Sequence, residues 1–155
     1  MIGIGEKAPD FTLPRSAGDG ELTLSTLQGG KVVLYFYPRD DTPGCTLEAI
    51  DFTRLRTEFE AAGTTVIGIS KDTPEKHAKF CAKHGLGIIL VSDAAGDTCE
   101  RYGTWVEKKM YGKVSMGIQR ATFLIDAAGT VAQAWPKVSV TGHAEEVLAA
   151  ARALG

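Results

Sequence analysis

Three residues set the chemistry this chain could perform: Thr42, Pro43 and Cys45, in the run Tyr35-Phe-Tyr-Pro-Arg-Asp-Asp-Thr-Pro-Gly-Cys-Thr-Leu-Glu48. An apolar strand, 31–37, ends at Pro38, where a backbone donor is also lost. A polar loop follows, and an amphipathic pattern begins at Cys45. Thr42 then serves as N-cap, Pro43 takes the first helical position and Cys45 the third. The free N–H groups of a helix's first turn and the positive end of its dipole stabilise an anion. A thiol there is expected to be partly thiolate at neutral pH, which makes it a nucleophile. The Thr42 hydroxyl would lie near the sulfur, able to donate and to accept. Gly44 keeps bulk away from it. From the residues alone, a buried and inert cysteine at a helix start stays open as the other reading, because free cysteines are commonly buried.

The elements that must position this sulfur follow from the hydrophobic pattern. Residues 8–13 are extended, Gly18-Asp19-Gly20 is a turn, and 21–24 alternates, which predicts an N-terminal β-hairpin. Ser25 caps a short turn. Lys31-Val-Val-Leu-Tyr-Phe-Tyr37 is almost wholly apolar, as a central strand is. The helix from Cys45 is expected to carry Leu47, Ile50, Leu55, Phe59 and Ala62 on its inner face and to stop at Gly63. Further strands are predicted at 65–70 and 88–91. Asp72-Thr-Pro-Glu75 opens a helix that runs to about His84 and holds Cys81. A short helix at 97–102 holds Cys99. Residues 105–117 read as a loop. A hairpin at 121–125 and 130–135 and a helix from His143 to Leu154 complete the chain. Early β-α-β units followed by an antiparallel hairpin and a helix predict an α/β protein: a thioredoxin-like fold, with a mixed central sheet flanked by helices.

Composition removes other functions. The 155 residues suit one domain, 1–155, with 44% hydrophobic and 23% charged residues. A net charge of −2 gives no cause to expect nucleic acid or an anionic membrane. No apolar run approaches the ~20 residues that span a bilayer. The N-terminus lacks the pattern of a signal peptide, so a cytoplasmic location is expected. Three cysteines are an odd count for a structural disulfide framework. The three cysteines and three histidines form no ligand-spaced pair, so no metal or other cofactor is expected. His77, His84 and His143 read as surface residues, Trp105 and Trp135 as packing.

The string Pro38-x-x-x-Thr42-x-x-Cys45 resembles the peroxiredoxin signature, and Tyr37 to Thr46 with Glu48 is similar to its bacterioferritin comigratory, or Q-type, branch. So are Gly5-Glu-Lys-Ala-Pro-Asp-Phe11, residues 65–70, Lys108-Lys-Met-Tyr-Gly112 and Gly117-Ile-Gln-Arg-Ala-Thr-Phe-Leu-Ile125. The resemblance covers nearly the whole chain. It implies that Cys45 is the peroxidatic cysteine, attacking hydrogen peroxide and alkyl hydroperoxides to become a sulfenic acid. It implies that Thr42 hydrogen-bonds thiolate and peroxide, that Pro38 shields the pocket, and that Arg120 polarises the oxygens being separated. Glu48 either orients an arginine or is an ordinary exposed acid. The resolving position five residues after Cys45 holds Ile50. A subset of the branch resolves from the next helix, which implies Cys81, with Cys99 structural. Thioredoxin or a similar dithiol protein would reduce the 45–81 bridge, and the protein would be a monomer. Disulfide geometry needs Cα atoms within roughly 7 Å, so two thiols on separate helices imply local unwinding on each turnover. The rival readings are a thioredoxin-type oxidoreductase, which lacks its C-x-x-C here, and a redox-switched binding protein or holdase.

Overall fold

A computed structural model describes residues 1–155. Strands β1 (Thr12–Pro14) and β2 (Glu21–Thr23) form the N-terminal antiparallel hairpin, followed by a 3-10 turn at Leu24–Leu27. Strand β3 (Lys31–Phe36) is the middle of a five-stranded sheet. Its parallel neighbour is β4 (Thr64–Ser70), flanked in turn by parallel β5 (Ile89–Ser92). On the other side β8 (Ala121–Ile125) runs antiparallel, and β9 (Val131–Trp135) closes the edge. The order β5-β4-β3-β8-β9 is the expected mixed sheet, and it is thioredoxin-like.

The two faces of β3 explain its unbroken apolar sequence. Val32, Leu34 and Phe36 enter one core layer, and Val33, Tyr35 and Tyr37 enter the other. Each is 2% exposed or less, and full burial of such a side chain stabilises the fold by about 1.5–3 kcal/mol. Gly68 in β4 is required by one of these rings: a Cβ there would stand 2.7 Å from Tyr35 Cζ and 2.8 Å from Leu90 Cδ2.

Helices α1 (Pro43–Arg54), α2 (Arg56–Ala61), α3 (Pro74–His84) and α5 (His143–Ala153) pack on the face of the sheet that carries Val33, Tyr35 and Tyr37, and a short α4 (Thr98–Tyr102) packs on the other. The helix after Cys45 departs from expectation twice. It breaks at Leu55, whose ψ of 4° leaves the helical range. Its inner face is Cys45, Glu48, Ala49 and Phe52, while Leu47 and Ile50 are exposed. A carboxyl group occupies the apolar stripe because an arginine meets it there. Helix α3 matches expectation: Thr73 Oγ1 accepts from the Lys76 N–H, Pro74 begins the helix and Gly85 ends it at φ 62°.

Residues 105–117 do not form a loop. They make an antiparallel hairpin, β6 (Trp105–Met110) and β7 (Lys113–Ile118), outside the main sheet. Its two-residue turn, Tyr111-Gly112, has positive φ at both positions, the hairpin geometry that Asn-Gly normally announces. Only the Trp105–Ile118 end packs into the core, so the remainder shows no apolar alternation. No helix is long and apolar enough to cross a membrane.

Candidate active site

Thr42 has extended backbone (φ −103°, ψ 155°) and is the N-cap of α1, with Pro43 first in the helix and Cys45 third. Its carbonyl accepts from the Thr46 N–H at 2.8 Å. The Thr42 hydroxyl does not cap the helix; it donates to the Arg39 carbonyl at 3.0 Å. Its lone pairs therefore remain available to a donor in the pocket. Cys45 is 1% exposed, at the base of an open pocket of about 520 Å3. Pro38, Thr42, Trp105, Met116 and Arg120 help to form the walls.

Arg120 enters from the segment between β7 and β8, 75 residues from Cys45 in sequence. Nη2 donates to Cys45 Sγ at 3.3 Å, and Nη1 donates to Glu48 Oε1 at 2.7 Å. A planar guanidinium serves both at once from two separate nitrogens held in a fixed geometry, which the single nitrogen of an ammonium does not offer. Gly44 matters for a reason besides access: a Cβ there would stand 3.2 Å from Arg120 Nη2, pressing the guanidinium away. Of the two readings of Glu48, the structure supports the orienting one. Its side chain is buried, and Oε2 has no hydrogen-bond partner. Burial pushes its carboxyl up to about 7, against the downward pull of Arg120. Near neutral pH the site therefore sets one guanidinium and one acid that gives up its proton late beside the Cys45 sulfur.

The pocket is strongly cationic. Arg39, Lys71, Lys76, Lys108 and Arg120 line it, with Asp72 as the one acid. Lys108 Nζ donates to the Ile118 carbonyl, and burial followed by repulsion from Arg120 lowers its basicity. Behind this lining, Glu48 pairs with Arg120 and Asp93 and Glu100 pair with Lys71, which leaves Arg39, Lys76 and Lys108 to set the sign of the field. Trp105 lines the pocket as well as packing, under Lys71 Nζ at 5.0 Å from its ring.

The other two cysteines lie apart from this pocket and from each other. Cys81 on α3 is half-buried and packs against the same core layer as Cys45. Its sulfur is 3.7 Å from Ser16 Oγ, and burial raises its pKa. Cys99 is fully buried in the layer on the opposite face of the sheet. Burial and the adjacent Asp93 push its thiol far up. Two histidines are not surface residues. His77 is completely buried, and His143 is buried with Nε2 2.9 Å from Thr122 Oγ1; His84 is partly exposed. Their polar neighbours, supplied by distant segments, are invisible to local spacing.

Comparison with known proteins agrees with this geometry. Residues 4–134 match the model of the AhpC/TSA family. A putative peroxiredoxin bcp of Coxiella burnetii is 49% identical over 147 residues, which is 95% of this chain and 97% of that protein. The peroxiredoxin Bcp of Xanthomonas campestris is 48% identical over 147 residues, 94% of this chain and 92% of the relative. A solved structure of the Xanthomonas campestris bacterioferritin comigratory protein, studied for its alkyl peroxide reduction activity, superposes with a TM-score of 0.91 at 43% identity, covering 99% of both chains. A peroxiredoxin Q structure from the same organism gives 0.92 at 43% identity over both chains in full. The chain belongs to the AhpC/TSA family and is a thiol-dependent peroxidase of the peroxiredoxin Bcp, or Q, type.

Proposed function

We propose that Cys45 is the sulfur that reduces hydrogen peroxide and alkyl hydroperoxides, with Cys81 as the resolving thiol. The observation that carries this reading is the Arg120 fork, which holds Cys45 Sγ and Glu48 Oε1 together at the base of the pocket. The thiolate attacks the terminal oxygen of R–O–O–H. The S–O bond forms as the O–O bond breaks, leaving Cys45 S–OH and an alkoxide that takes a proton to become the alcohol. Arg120 Nη2, beside the sulfur, supplies a donor as negative charge passes from the sulfur to the leaving oxygen. The Thr42 hydroxyl, now turned to Arg39, is free to accept the peroxide's O–H, and Pro38 holds one wall of the pocket.

A Cys81 thiolate then displaces hydroxide from the sulfenic sulfur, giving the 45–81 disulfide. The core layers support Cys81 over Cys99, because Cys81 packs on Cys45's side of the sheet and Cys99 on the other. A dithiol protein of thioredoxin type returns both cysteines to thiols. The relatives' identity as peroxiredoxins favours an enzyme over a redox-switched binding protein. We place the enzyme in the cytoplasm as a monomeric, single-domain protein needing no metal or haem.

The test is peroxide consumption with a thioredoxin system. Cys45→Ser should abolish turnover, and Cys81→Ser should consume one equivalent and then stall or over-oxidise. A bridge that maps to 45–99 at stoichiometric peroxide would overturn the choice of Cys81.

A further inference from the structure

His77 lies on α3 one turn before Cys81 and is completely buried. Its Nε2 is 2.9 Å from the Val91 carbonyl oxygen, which can only accept, so Nε2 carries a hydrogen. Its Nδ1 is 2.6 Å from Asp40 Oδ2, with one proton between them. The other carboxyl oxygen of Asp40 accepts from Tyr37 Oη at 2.6 Å. Both ring nitrogens of the histidine and both oxygens of the acid are thus engaged inside the protein. Asp40 belongs to the loop between β3 and α1, the segment that leads into Cys45. The backbone N–H of Asp40 also donates to Asp72 Oδ2, which fastens the loop to the end of β4. The loop before the peroxidatic helix is therefore buttoned from within to the helix that carries the other thiol. Outside it lies a weaker, exposed tie, Asp41 to Lys83 and His84.

We propose that the Asp40–His77 pair is a positioning clasp, which holds the Cys45 loop against the Cys81 helix and thereby slows resolution of the Cys45 sulfenic acid. The inference rests on the 45–81 reading above. In the folded arrangement Cys45 is enclosed beneath Arg120, and Cys81 is turned toward Ser16. Bringing the two within disulfide range displaces the start of α1, part of α3, or both. Either movement pulls the clasp apart. Opening it separates buried polar partners, and such groups are expensive to leave alone. Neither residue touches the sulfur; both act through the backbone they join.

The experiment is a single turnover of the reduced full-length protein with one equivalent of hydrogen peroxide, followed through tryptophan fluorescence, to which Trp105 in the pocket contributes, and by peptide mapping. Oxidation appears as the phase that scales with peroxide, resolution as the first-order phase that does not. In His77→Ala we expect the resolution constant to rise about tenfold relative to the oxidation constant, and less sulfinic acid to form at Cys45 in excess peroxide. Asp40→Asn can accept from Tyr37 and donate to Nδ1 while Nε2–H still serves Val91, so it should stay within about twofold of the parent. Should His77→Ala not fold, Asp40→Ala carries the same expectation. Val131→Ala, in β9 and in the opposite core layer, serves as a control for lost global stability. The clasp is overturned if a 45–81 bridge still forms but His77→Ala, or Asp40→Ala in its place, leaves its rate unchanged, or if Val131→Ala speeds it equally. Absence of any 45–81 bridge in the parent overturns instead the assignment on which the clasp rests.

Discussion

Replacing Arg120 by Met tests the active site at the residue that joins Cys45 to Glu48. The change keeps a long side chain but removes the donor 3.3 Å from Cys45 Sγ and the one 2.7 Å from Glu48 Oε1. A hydrogen bond to a charged group contributes about 1.5–3 kcal/mol, which the guanidinium gives to the sulfur in its ionised form. Losing a preorganised donor to a developing oxyanion costs about 10²–10³ in rate. The two effects share one guanidinium and do not simply multiply. The expected fall in the second-order rate of Cys45 oxidation at pH 7 is therefore roughly 10²–10³. Glu48 should tolerate the change, because without the guanidinium its buried carboxyl keeps its proton to still higher pH and stays neutral. Stopped-flow oxidation measured across pH separates the two contributions. Whatever was lost through ionisation returns at alkaline pH; whatever was lost through polarisation of the O–O bond does not. Glu48→Gln is the companion variant. Its amide oxygen can still accept from Nη1, so the fork stays aimed, and its oxidation rate at pH 7 should stay far above that of Arg120→Met. An Arg120→Met protein that kept more than about a third of the parent's rate at pH 7 would refute the reasoning.

Glu48 also ties stability to pH. Its carboxyl titrates at about 7 in the fold against an ordinary value of 4.5. Between those values the folded protein holds a proton that the unfolded chain has released, so this contribution is complete below pH 4.5 and is lost as pH rises to 7. Relative to Glu48→Gln, the parent should lose on the order of 3 kcal/mol across that window; equal slopes in denaturant titrations would contradict this. Tyr35→Phe removes a buried hydroxyl that has no partner, so stability should hold or rise by up to about 1 kcal/mol in guanidinium unfolding, and a clear loss would mean that the hydroxyl is satisfied in solution. Cys99→Ala empties a little of the far core layer and should cost on the order of 1 kcal/mol of stability. The 45–81 bridge and the oxidation rate should be unaffected, which peptide mapping and stopped flow would check.

What the sequence disclosed depended on how local its signal was. Thr42, Pro43 and Cys45 announce a helix start within four residues, and the apolar run of β3 announces the strand before it; the structure has both where the letters placed them. The N-terminal hairpin, α3 and the β8–β9 pair were legible for the same reason. Arg120 was not legible from spacing, since only folding brings it to Cys45, and resemblance alone singled it out. Apolar period puts Leu47 and Ile50 on the inner face, because it carries no sign that a buried Glu48–Arg120 pair claims that face. His77 looked like a surface residue for the same kind of reason: its partners, Asp40 and Val91, lie 37 residues before it and 14 after it. The β6–β7 hairpin looks like a loop in sequence because most of its side chains face water and Tyr111 stands where Asn is customary.

The claim on which the rest depends is that Cys45 itself takes an oxygen from the peroxide. The direct measurement uses Cys81→Ser, which cannot complete the proposed bridge, treated with one equivalent of hydrogen peroxide in the presence of dimedone and analysed by peptide mass. The account predicts a single dimedone adduct on the peptide containing Cys45, with the peroxide consumed. Peroxide left unreacted, or an adduct on Cys99 with Cys45 unmodified, would contradict it.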